Sequence, residues 1–277
     1  MKNTKGFTLI ELLVAAAVSL ILVFAIGMAI ESALRSSGGI ERKVIAQQDV
    51  RGTLEIMAME IRMASYNPLF GQEPVTGNVD RFWRGAGCGA TLCCDQNSCP
   101  LPLDTRCQRR GIQEATTTSI TVQMDISDRL DGYNLPDGNG QIMGGPAETN
   151  EIIRYNYVTA GGDRYITRET NCGGAQPFLG DAVASLHPLT VRVSNEDIPD
   201  PDNPGNPLPV FRYFDALGNR VVPGAGGNLT DNQIHDLRMI EITLAVETEE
   251  INPDTKQRRR MIYSSRETLK NHIFYKY

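Results

Sequence analysis

The chain has 277 residues, of which 41% are hydrophobic, 22% charged and 6% aromatic, a composition that excludes a mainly disordered chain and a polytopic membrane protein. Its formal charge of −6 argues against a protein that wraps nucleic acid, because neutralising phosphates needs a clustered basic surface. The 15 prolines and 26 glycines follow no period, which excludes collagen, and they concentrate beyond residue 67.

The first element is apolar. Phe7 to Ile30 carries a single charge, Glu11, and spans roughly 36 Å as a helix, enough to cross a hydrocarbon core of about 30 Å once. A cleaved secretory signal would have a shorter apolar run ending in small residues. Here Ala15, Ala16 and Ala17 lie inside the run, and residues 18–30 continue it. No cysteine precedes residue 80, so no lipid anchor is available there. Glu11 is the peculiar residue: an ionisable group at the centre of a membrane helix costs about 2.5–3.5 kcal/mol on insertion scales. Either it sits at the membrane edge, where a helix N-terminus favours anions, or it has a partner.

From Ile30 to Pro68 the pattern stays helical and turns amphipathic. Val50, Leu54, Met57 and Ile61 recur at helical spacing, with Arg51, Glu55, Glu60 and Arg62 facing elsewhere. One stem helix over 7–65 is expected, with residues 7–30 in the membrane and with Gly27 and the Gly38-Gly39 pair either simply tolerated or marking points of bending.

Residues 66–277 form the head. Cys88, Cys93, Cys94, Cys99 and Cys107 fall in one insertion, 88–107, with Cys172 as a sixth. Their spacing gives no Cys-x-x-Cys knuckle, so disulfides of a non-cytoplasmic domain are the first reading and a metal or redox site the second. Residues 125–140 concentrate Asp, Asn and Gly, as a calcium loop requires, although the spacing is not that of an EF-hand; a solvated hairpin loop is the alternative. Short β-branched runs at 116–124, 151–158, 164–169, 189–193, 210–214, 238–246 and 260–263 read as about seven strands, antiparallel because no helical crossovers separate them. The fold class is therefore α+β, a lollipop with a long N-terminal helix, an antiparallel β-sheet head and loop insertions. Lys256-Gln257-Arg258-Arg259-Arg260 is either a solvated hairpin tip or a contact for a partner or single-stranded nucleic acid. His187, His235 and His272 lie in no hydrolase or zinc motif, and no glycine-rich phosphate loop is present, so an enzyme is not expected.

The run Met1-Lys2-Asn3-Thr4-Lys5-Gly6-Phe7-Thr8-Leu9-Ile10-Glu11-Leu12-Leu13-Val14 closely resembles the amino-terminal signature of type IV prepilins and pseudopilins. The resemblance implies that residues 1–6 are a leader, that prepilin peptidase cuts after Gly6, and that Phe7 becomes the N-methylated terminus. It also implies that Glu11 is the assembly glutamate, pairing with the Phe7 amine of a neighbouring subunit as the chain leaves the bilayer. Cleavage would take two lysines with the leader and leave a more acidic chain.

Further on, Leu54 to Tyr66 resembles the stem end of PilW-type minor pilins, with Ser65 where that family commonly has glycine. A comparable acidic loop in that family makes Asp131, Asp137, Asn139 and Glu151 the candidates for a structural calcium; no other cofactor is implied. The resemblance implies a minor pilin that primes or builds a type IV pilus for adhesion, motility or DNA uptake. The alternatives are a J-type pseudopilin of type II secretion and a surface adhesin or DNA-binding module. Expected partners are other minor and major pilins, prepilin peptidase and the inner-membrane assembly platform. Nucleic acid is disfavoured by charge. The expected location is the bacterial inner membrane with a periplasmic head, then the pilus.

Overall fold

The structure, a computed structural model, describes residues 8–66, 111–124, 152–159, 164–170, 173–181, 191–224, 227–248, 251 and 256–272. It comprises two compact units, Met1–Ile45 and Ala46–Tyr277. Helix α1 runs without interruption over Leu9–Arg62, so Gly27, Gly38 and Gly39 are carried within regular helix rather than ending it.

In the first unit, the described residues of α1 from Leu9 to Leu34 are exposed. In the second, α1 buries a stripe made of Ala46, Val50, Leu54, Met57, Ala58 and Ile61, continued by Ala64 in the turn that follows. Their helical spacing aims them at one core shared with the strands, where each large apolar side chain contributes about 1.5–3 kcal/mol. Glu60, expected on the solvent side, is instead buried. It lies on the flank of the stripe that meets the sheet, and its charge is neutralised there. Arg168 donates to both carboxylate oxygens, at 3.1 and 2.6 Å, and the Tyr155 hydroxyl donates to Oε2.

Among the described residues ten strands follow: β1 (Ile112–Ala115), β2 (Ser119–Gln123), β3 (Ile152–Val158), β4 (Arg164–Thr170), β5 (Gln176–Asp181), β6 (Val191–Val193), β7 (Phe211–Asp215), β8 (Arg220–Val221), β9 (Leu237–Thr248) and β10 (Arg260–Thr268), with a short helix α2 (Asp231–Asp236) before β9. Every pairing among them is antiparallel. They form two sheets rather than one. The first has the order β1-β2-β3-β4-β5; the second has the order β10-β9-β7-β8, with β6 also on β9.

The expected strand at 116–124 is a hairpin arm with a turn at its start. Thr116 Oγ1 accepts the Ser119 amide at 2.7 Å and the Thr118 amide at 3.2 Å, a side-chain-built turn that threonine favours. The two sheets are stitched at this turn, where Thr117 O accepts from Val210 N at 2.9 Å and Phe211 N at 3.1 Å. Strands β1, β5 and β8 and helix α2 were not anticipated. In β5, Pro177 and Gly180 argue against a strand, yet the chain tolerates both because its register shifts against β4 and Gly180 takes a φ of 95°.

The end of α1 is fixed by residues remote in sequence. Ser65 has a φ of 65°, a left-handed conformation that favours glycine, and its amide donates to Gln123 O at 2.8 Å. Gly111, at the same φ, packs so closely that a Cβ there would lie 2.4 Å from the Ser65 nitrogen. The Ser65 hydroxyl meets His272 Nδ1 at 2.9 Å, while His272 Nε2 lies 2.7 Å from Ile234 O. A carbonyl only accepts, so Nε2 carries the proton and Nδ1 accepts from Ser65.

Candidate processing and assembly site

Among the sequence-derived site residues, Glu11 is the one the structure describes. Gly6 and Phe7, the cysteines Cys88, Cys93, Cys94, Cys99, Cys107 and Cys172, and the calcium candidates Asp131, Asp137, Asn139 and Glu151 lie outside the described residues.

Glu11 sits in the first turn of α1, and it already has a partner within the chain. Its Oε2 accepts the Thr8 amide at 2.9 Å and the Thr8 hydroxyl at 3.0 Å, and Thr8 Oγ1 accepts the Glu11 amide at 3.3 Å. This is a reciprocal capping box: threonine before the first helical residue and glutamate three positions later satisfy amides that the helix leaves unpaired. Thr8 is therefore a capping partner of the candidate site residue that sequence reading did not single out, although Thr-x-x-Glu before an apolar run is the signal for it. Both Thr8 bonds fall on one carboxylate oxygen, and no described residue donates to Oε1. The carboxylate can thus keep its cap and still accept a cation. Around it Leu9, Ile10, Leu12, Leu13 and Val14 are exposed, an apolar collar that only lipid or other apolar helices can satisfy.

Among the described residues of the second unit, several arrangements carry polar chemistry. Ser65 and His272 have the distance of a nucleophile and its base, but they are 2% and 0% exposed, and the second imidazole nitrogen is held by a carbonyl. They close a helix end. On the second sheet, Asp200 receives Arg212 at 2.7 Å and Arg220 at 2.9 Å, Arg212 also reaches Glu241 at 3.3 Å, and Arg266 reaches Glu241 at 3.1 Å while lying over the Phe214 ring. Burial opposes the charge on Asp200, but hydrogen bonds from Arg220, the Asp202 amide and Arg212 outweigh it and hold the carboxyl below its ordinary value of 3.8. At Tyr155, burial and then the Glu60 charge push the phenol far above its ordinary value.

Comparison with known proteins bears on the amino terminus. Residues 1–29 match the prokaryotic N-terminal methylation motif. That motif supports a prepilin-like reading of the segment, and the helix that overlaps it is long and apolar enough to cross a membrane. In general terms, the partners of such a segment are prepilin peptidase and other pilin-type chains. No curated protein and no solved structure matches the chain.

Proposed function

We propose that this protein is a minor pilin of a type IV pilus, a structural and assembly-priming subunit rather than an enzyme. The reading rests above all on the methylation motif over residues 1–29, which overlaps a capped helix whose described apolar residues from Leu9 to Leu34 are exposed. In this reading prepilin peptidase cuts between Gly6 and Phe7, Phe7 is N-methylated, and the helix passes from the inner membrane into the filament with the head on the periplasmic side. Glu11 is unfavourable in lipid and is satisfied on assembly by the amine of a neighbouring subunit through the oxygen that Thr8 leaves open.

The left-handed backbone of Ser65 supports the finer PilW-type reading, because that is the position where such stems commonly place glycine. The bulk of the head supports a minor role, since a large head is awkward to repeat along a whole filament. The test is mass spectrometry of the mature amino terminus together with identification of the assembly that co-purifies. A methylated Phe7 terminus with pilus components is the expected result. An uncleaved Met1 terminus would overturn the reading, and co-purification with secretion components would assign the chain to the J-type pseudopilins.

A further inference from the structure

Strand β10 is an edge of the second sheet. Its register against β9 runs unbroken from Arg260↔Glu247 to Thr268↔Met239. The flanking bonds Thr248 N to Arg259 O and Leu269 N to Arg238 O fix the phase of the ladder, so the odd-numbered residues of β10 bond to β9. Arg260, Ile262, Ser264 and Arg266 then turn their main-chain N–H and C=O groups outward, and among the described residues no main-chain group bonds to them.

The other sheet edges are blunted. β1 has four residues and a register shift, β8 has two residues, β6 has three, and β5 has its own shift with Pro177 and Gly180. Natural proteins commonly blunt edges in these ways, and β10 alone among the described edges is both long and regular. It is also held rigid: Arg51 of α1 lies over the Tyr263 ring, and Arg62 of α1 pairs with Glu267 at 3.0 Å.

The chemistry of the occupant follows from the edge. Residues 256–270 hold six cations, Lys256, Arg258, Arg259, Arg260, Arg266 and Lys270, against the single acid Glu267, in a chain whose net charge is −6. Arg260 and Arg266 are drawn back onto Glu247 and Glu241 of β9, leaving the middle of the edge clear around Ile262, which is 55% exposed. Cations thus flank the strand while a neutral backbone ladder lies between them.

We infer that the outer edge of β10 is a docking site for an acidic extended segment of another protein chain, which adds to the second sheet as a further strand. Main-chain bonds to Arg260, Ile262, Ser264 and Arg266 supply the binding, and Lys256, Arg259 and Lys270 select acidic side chains. The inference uses only the second sheet, the cations that flank β10 and the α1 side chains that meet it, so its failure leaves the reading of the amino terminus untouched.

The experiment uses the full chain in detergent micelles and a capped peptide of alternating glutamate and valine as the probe. The peptide should slow amide exchange at Ile262, Ser264 and Arg266. Ile262→Pro should weaken binding about tenfold or more, because it removes an outward N–H and leaves the β9 ladder in place. The same peptide N-methylated at alternate residues should not bind the native chain, which decides the matter even if the proline variant folds poorly. Absent protection of those amides, or equal binding by the N-methylated peptide, would overturn the inference. So would a single-stranded oligonucleotide that competes for the edge and still binds Ile262→Pro, since it would make the site a nucleic-acid surface.

Discussion

The Tyr155 hydroxyl on β3 donates to the Glu60 carboxylate on α1, and the same carboxylate takes two bonds from Arg168 on β4. The last turns of the helix are therefore tied to the first sheet by a charge that has no solvent of its own. Removing Glu60 strands the guanidinium, whereas removing the tyrosine hydroxyl leaves the ion pair intact. Glu60→Ala should destabilise the protein by about 3 kcal/mol, at the low end for a broken buried pair because Arg168 stays 23% exposed. Tyr155→Phe should cost about 1.5 kcal/mol. Denaturant melts of the two variants against the native chain check the order.

Ser65 combines an unfavourable backbone with a useful hydroxyl. Ser65→Ala keeps the left-handed strain and removes the buried hydroxyl that meets His272 Nδ1, so it should cost about 1–3 kcal/mol. Ser65→Gly loses the same bond but relieves about 1 kcal/mol of strain and should lie between alanine and serine. Gly111→Ala should be worse than either, because its methyl would collide with the backbone of Ser65. Thermal unfolding of the three variants gives the ranking.

Asp200 makes stability depend on acid. Its folded pKa lies below the unfolded value, so its contribution is complete above the ordinary aspartate range and is lost as pH falls through the lower folded value. Asp200→Asn should therefore be less stable than the native chain at neutral pH, with the gap narrowing below about pH 4. Denaturant midpoints measured for both proteins at pH 7 and at acid pH test the sign; a gap that widens in acid would contradict it.

At the amino terminus, Glu11→Ala should be cleaved and inserted normally but recovered poorly in filaments. Thr8→Val should loosen the first helical turn by about 1 kcal/mol while leaving the carboxylate able to pair. Quantifying cleaved protein in membrane and sheared-filament fractions separates the two. Equal recovery of Glu11→Ala and native chain in filaments would remove the pairing role.

The parts of the fold that follow a period were open to reading from the residues: the apolar run, the stripe of Val50, Leu54, Met57 and Ile61, and the β-branched core of β3, β4, β7 and β9. What stayed hidden depends on contacts between distant residues. Glu60 is polar and one position from Ile61, and nothing local announces that Arg168, 108 residues away, neutralises it. Thr116-Thr117-Thr118 looks like strand because threonine is β-branched, and only the capture of two amides by Thr116 makes it a turn. Helix α2 was missed for a different reason, since its Thr230-to-Gln233 capping box is a local pattern that was available. At Glu11 the residue was legible, but its intrachain partner Thr8 was overlooked because the carboxylate was read as needing a second chain.

The closure of the stem by Ser65 and His272 also has a timetable. The two side chains are 207 positions apart, so a ribosome has finished the helix long before its latch exists. Until that late imidazole is synthesised, the left-handed turn holds only the bonds it makes to earlier parts of the chain, among them Ser65 N to Gln123 O. The helix end is thus completed by a residue that follows β10, so its closure waits on the strand that forms the outer edge of the second sheet.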